Sequence, residues 1–138
     1  GTRRTRQPLI VVDASVLVVA LASDGSDGAR HRDRLKGERL VAPHLIDVEV
    51  LAAWRRLAGA GRLEEQRMAL ARSDLRALPI ERVPHGPLLE RIWELRGNLT
   101  PYDATYVALA ELLDVSLVTA DTKLAGAPGP RCPIEVVP

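Results

Sequence analysis

With 138 residues and a formal net charge of +1, the chain has the length of one domain with one real core, and Arg3, Arg4 and Arg6 leave the remainder mildly acidic, which excludes a generic basic binder of nucleic acid. There is no Phe, and Trp54, Trp93, Tyr102 and Tyr106 are the only Trp and Tyr residues, so the core must be Leu, Val, Ile and Ala, and aromatic stacking on single strands is disfavoured. A single cysteine, Cys132, allows no internal disulfide and fits a reducing cytosol; no run reaches transmembrane length, and no signal-peptide pattern is present.

Gly1 to Pro8, without an initiator Met, reads as a loose arm or tag remnant; residues 9–138 read as one domain. Leu9 to Val12 is an apolar run ending at Asp13, the pattern of a central parallel strand buried on both faces. Asp13-Ala14-Ser15 opens a helix over Val16 to Ala22. Asp24 to Gly28 is a turn, Gly28 to Lys36 a polar helix, and Arg39 to Ala42 a second strand ended by Pro43. His44 to Leu57 is an amphipathic helix with Leu45, Val48 and Leu51 or Ala52 at helical spacing, ended by Gly59 and Gly61. Leu63 to Leu78 forms its hairpin partner, with Leu63, Met68 or Arg67, Leu70, Leu75 and Leu78 as the stripe. Pro79 to Val83 is a third strand, and Gly86 to Arg96 a helix closed by Gly97. Thr100 is then an N-cap, Pro101 the first helical residue, and Asp103 an acid in the first turn, facing the positive end of the helix dipole. Val115 to Thr119 is a buried strand, Ala125 to Pro133 a loop, and Ile134 to Val137 an edge strand.

Strands alternating with helices indicate an α/β fold, a parallel sheet covered on both sides, with every strand C-terminus on one edge. Ligands of open α/β sheets bind on that edge, at the topological switch point. Four acids fall at or near it: Asp13, Glu49, Asp103 and Asp121. Each alone has a structural reading, as dipole compensation for Asp103, a cap for Asp121 and a solvated residue for Glu49. Asp13 differs, because burying a carboxylate unpaired is costly. Carboxylates so close, without a matching Lys, need a cation or shared protons. Hard oxygen donors without His or Cys point to Mg²⁺ or Mn²⁺, and to metal-assisted phosphodiester hydrolysis. Asp114 lies at the opposite edge, Asp47 is turned about 200° from Glu49 on a helix, and Asp24 and Asp27 are turn residues.

Ile10-Val11-Val12-Asp13-Ala14-Ser15, the lone Glu49, Tyr102-Asp103-Ala104 and Val118-Thr119-Ala120-Asp121 resemble the PIN domain, and specifically the VapC-type toxins of bacterial toxin–antitoxin pairs. The resemblance implies a three-layer α/β/α sandwich with a mostly parallel sheet of four or five strands, and a homodimer. It implies a cytoplasmic, Mg²⁺- or Mn²⁺-dependent endoribonuclease that leaves 5′-phosphate and 3′-hydroxyl ends and is blocked by a VapB-type antitoxin. Asp13, Glu49, Asp103 and Asp121 then match the family's acidic quartet, as catalytic residues and metal ligands, and Ser15 and Thr119 match hydroxyls behind it.

His31, His44 and His85 sit in polar or loop contexts and read as surface residues; no His pair is expected to serve as the acid and base of a metal-free ribonuclease. Arg55 and Arg56 have two readings, contact with phosphate and, in preference, a solvated helix face; Trp54, Trp93 and Met68 read as packing residues. Other functions stay open. A phosphatase-like acidic hydrolase would want Asp-x-Asp where Asp13-Ala14-Ser15 stands, and a receiver domain a Lys better placed than Lys123. A silent PIN-like binding module would not need the quartet intact. Neither a Gly-x-Gly-x-x-Gly motif nor a Walker loop is present.

Overall fold

The computed structural model describes residues 8–61 and 64–138. Leu9–Val12 forms β1, Arg39–Pro43 β2, Ile80–Val83 β3, Leu117–Thr119 β4 and Ile134–Val136 β5. All pair in parallel, in the order β3-β2-β1-β4-β5. The helices are α1 (Ala14–Ala22), α2 (Ser26–Leu35), α3 (Ile46–Gly59), α4 (Glu65–Ala77), α5 (Leu89–Glu94, entered through a 3₁₀ turn at Gly86–Leu88), α6 (Pro101–Leu113) and α7 (Thr122–Gly126). The chain walks outward from β1 through β2 to β3, then crosses back over the sheet to β4. Right-handed crossovers therefore place α1–α4 on one face and α5–α7 on the other, giving three layers. The walk reverses between β1 and β4, which sets the switch point at the C-terminal ends of those two strands.

Several boundaries differ from the sequence reading. Pro43 ends β2 but belongs to it, in register with Val83. Ser26 and Asp27 are helical rather than part of a turn, and α1 begins at Ala14. β4 is shorter than expected, and Ala125 and Gly126, expected in the loop, are the last residues of α7. The predicted arm at 1–7 and the expected helical start at Leu63 lie outside the described residues. Pro8 is joined to the sheet, its carbonyl accepting from the Arg39 N–H at 2.7 Å. No helix among the described residues is long and apolar enough to cross a membrane.

The buried face of α3 is Ile46, Val50 and Trp54, whose indole N–H donates to the Val18 carbonyl of α1 at 3.1 Å. Of the expected stripe, Leu45 packs against the core, but Val48 is 69% exposed and Leu51 44%. On α4 the buried residues are Met68, Ala71 and Leu75, while Leu70 is 61% exposed. Trp93 is exposed too, covered only by the Arg96 guanidinium 4.5 Å from its ring centroid. His31 is buried, not on the surface, with Nδ1 3.3 Å from the Val16 carbonyl. The cause is a close helix crossing: a Cβ on Gly28 would lie 2.1 Å from the Ser23 carbonyl oxygen, so α2 lies hard against the end of α1.

Candidate active site

Asp13 follows β1 and precedes α1 in extended backbone, and is only 6% exposed. Ser15 Oγ and Thr119 Oγ1 both donate to its Oδ2, at 2.6 and 2.7 Å. Each hydroxyl also accepts a backbone N–H, Ser15 from Ala120 at 2.9 Å and Thr119 from Asp121 at 3.0 Å. Both hydroxyl protons are thereby committed to Asp13, and the ends of β1 and β4 are locked together. Burial nevertheless pushes the Asp13 carboxyl above its ordinary value, against these donors and with added repulsion from Asp121.

Thr100 caps α6 by accepting the Asp103 N–H at 3.2 Å, which fixes Asp103 in the first turn as its spacing predicts. Burial raises the Asp103 carboxyl, helped by repulsion from Asp13 and Asp121. Glu49 comes from the first turn of α3, on the other helical layer. Burial raises it as well, with repulsion from Asp13 and Asp103; the Tyr106 hydroxyl, donating to Oε1 at 2.6 Å, works the other way. Asp121 caps α7, accepting the Lys123 N–H at 2.9 Å. All four acids and Ser15 line one cleft of about 480 Å³, with Val18, Val19, Ala53, Arg56 and Leu57. Thr119 stands behind Asp13, fully buried.

The acids set aside in the sequence are held elsewhere. Asp47 takes both prongs of Arg82, at 2.6 and 2.9 Å. Asp24 pairs with Arg67 and Asp27 with Arg30, and Asp114 ends α6 in a left-handed conformation at φ 55°. His44 and His85 do come together, their ring centroids 6.1 Å apart, contrary to expectation. His85 is no free base, because its Nε2 accepts the Leu45 N–H at 3.0 Å.

Residues 10–129 match the PIN domain family. Ribonuclease VapC9 of Mycobacterium tuberculosis is 47% identical to this chain over 130 residues, covering 94% of this chain and 99% of that protein. The chain belongs to the PIN-domain family. Among solved structures, PAE2754 of Pyrobaculum aerophilum superposes with a TM-score of 0.67 at 29% identity, over 94% of this chain and 85% of that one. A toxin–antitoxin complex from Klebsiella pneumoniae shares the fold, with a TM-score of 0.60 at 20% identity, over 85% of this chain and 90% of that one. A PIN-family assignment removes the phosphatase and receiver readings.

One residue of this PIN site escaped sequence reasoning. Tyr106, fully buried, links α6 to α3 through Glu49, and burial with the adjacent carboxylate raises its phenol far above the ordinary value. Arg56 is exposed, as a solvated face predicts, and it also lines the acidic cleft. Tyr106→Phe should cost about 1 kcal/mol by removing one hydrogen bond and leaving the Glu49 oxygen unserved. Urea unfolding with a lower midpoint and unchanged m-value is the expected result; an unchanged midpoint would mean that this bond contributes nothing.

Carboxylate oxygens are the donors a hard divalent cation takes. Among the described residues no three His, Cys, Asp or Glu side chains converge tightly enough to form a closed coordination group. Asp13, Glu49, Asp103 and Asp121 would supply oxygens that suit a hard, largely hydrated ion such as Mg²⁺.

Proposed function

We propose that this chain is a metal-dependent endoribonuclease toxin that hydrolyses RNA phosphodiester bonds and is neutralised by a cognate VapB-type antitoxin. One observation carries the reading: Asp13, Glu49, Asp103 and Asp121 line a single cleft at the switch point, and no salt bridge among the described residues engages any of them. The 47% identity to a named ribonuclease supports the substrate class. Asp13, Asp103, Asp121 and Glu49 would hold Mg²⁺ or Mn²⁺. When bound, the ion supplies Lewis-acid polarisation of the scissile phosphate and a lowered pKa for coordinated water. Ser15 and Thr119 keep Asp13 in one orientation by donating to its Oδ2, and Tyr106 does the same for Glu49.

The test is cleavage of single-stranded RNA with EDTA, then with Mg²⁺ or Mn²⁺ restored, followed by analysis of the ends. Activity lost and regained with 5′-phosphate and 3′-hydroxyl products is expected. Cleavage that persists in EDTA, or 2′,3′-cyclic phosphate ends, would reject the reading. A silent binding module would be indifferent to the metal.

For the partner, an Arg suits the carboxylate cleft because its fork serves two oxygens at once. The antitoxin is expected to place an Arg near Asp13 and Asp103. A complex that still cleaves RNA with the acidic cleft open would sink this. The expected homodimer has support in exposed Leu89, Trp93 and Leu112, which a second copy would cover. Light scattering of the isolated chain should return twice the monomer mass.

A further inference from the structure

The lining of the acidic cleft is not uniform along its length. Glu49, Ala53, Arg56 and Leu57 share one face of α3, at helical spacing, and all four line the cleft. Arg56 stands seven residues beyond Glu49, a rise of roughly 10 Å along the axis. The rest of the wall is mostly apolar, formed by Val18, Val19, Ala53 and Leu57, and along α3 it is Ala53 that separates Glu49 from Arg56. Along α3 the lining therefore passes from the Glu49 carboxylate over Ala53 to Arg56, the one Lys or Arg among the lining residues.

Among the described residues Arg56 makes no salt bridge and no side-chain hydrogen bond, whereas Arg32, Arg34, Arg67, Arg82 and Arg91 are all engaged. Arg55, one residue earlier, turns to a different cleft with Trp54, Ala58 and Met68. A guanidinium that lines a cleft of carboxylates and pairs with none of them is free for an anion brought by the substrate.

We propose that Arg56 is a phosphate subsite, holding a backbone phosphate next to the scissile one while the intervening nucleoside lies over Val18, Val19, Ala53 and Leu57. The inference rests on the ribonuclease reading and deepens it: the site is built for a polynucleotide rather than for a mononucleotide or a phosphomonoester. Guanidinium forks suit phosphate, and an apolar wall suits a nucleoside face.

The test uses the full chain, a fluorescent single-stranded RNA oligonucleotide, and the variants Arg56→Ala, Arg56→Lys and Arg55→Ala, with kcat and KM followed against salt. Arg56→Ala should raise KM several-fold with kcat nearly unchanged. It should also flatten the slope of log(kcat/KM) against log[salt] by about 0.7, the contribution of one phosphate contact on a single strand. Arg56→Lys should restore the slope, and Arg55→Ala should match wild type throughout. Thermal unfolding of Arg56→Ala should equal wild type, since the side chain holds nothing in the fold. Wild-type cleavage with an unchanged KM and slope in Arg56→Ala would overturn the subsite alone, as would equal effects from Arg55→Ala. Wild type that neither binds nor cleaves RNA would overturn the ribonuclease reading and the subsite with it.

Discussion

Asp103→Asn is expected to lower RNA cleavage by about a hundred-fold or more, at least the upper end of what losing a mere supporter of a metal ligand costs, while leaving the metal-free protein at least as stable as wild type. Asp103 is partly buried and faces the charges of Asp13 and Asp121, and these together raise its carboxyl. The amide keeps the shape and removes the repulsion. One effect opposes this: an anion in the first turn of α6 faces the helix dipole, worth roughly 0.3–1 kcal/mol. Burial of the charge and repulsion from Asp13 and Asp121 are expected to outweigh that contact. Millimolar Mg²⁺ should then raise the melting temperature of wild type more than that of the variant, by mass action on the folded state. Equal Mg²⁺ responses in the two proteins would remove Asp103 from the metal site.

Three of the four acids were legible because each sits beside a strong local signal, whereas Glu49 lies inside a helix and rested on the family resemblance. Asp13 ends an unbroken apolar strand, Asp121 follows another, and Thr100-Pro101 fixes the start of the helix that carries Asp103. Parallel pairing then does the rest, since it must bring strand C-termini to one edge. What stayed hidden depends on which neighbour a helix meets. On α3 both Ile46-Val50-Trp54 and Leu45-Val48-Leu51 are apolar at helical spacing; α1 takes the first set, and no periodicity within α3 records that choice.

Tyr106 was hidden for a similar reason. Its partner Glu49 lies 57 residues away, on the opposite layer of the sheet. A tyrosine inside a buried helix looks like packing until the far carboxylate is seen. Arg56 and Arg55 are indistinguishable as a pair in sequence; the 100° between successive helix positions sends one into the cleft that holds the acids and the other towards α4. His31 looked exposed in a polar helix, and it is the close approach allowed by Gly28 that buries it.

The difference in stability between wild type and Asp13→Asn is expected to depend on pH in a definite direction. Burial holds the folded-state Asp13 carboxyl above its ordinary value of 3.8. Between that value and the higher folded one, the folded protein binds the proton more than the unfolded chain does. Wild type therefore loses stability relative to the variant as pH rises through this window, at up to about 1.4 kcal/mol per pH unit for one proton retained. Wild type alone would blur the result. Glu135, held low by Arg34, and Glu111, where Arg91 outweighs burial, contribute stability that is lost as pH falls. Both acids are present in both proteins, so subtraction removes them. Urea unfolding in EDTA across the acidic range, wild type minus variant, is the measurement. A flat difference, or one that rises with pH, would mean that the Ser15 and Thr119 hydroxyls overcome burial and hold Asp13 at or below its ordinary value. Added Mg²⁺ should reverse the trend in wild type alone, because a cation favours the ionised carboxylate that burial disfavours.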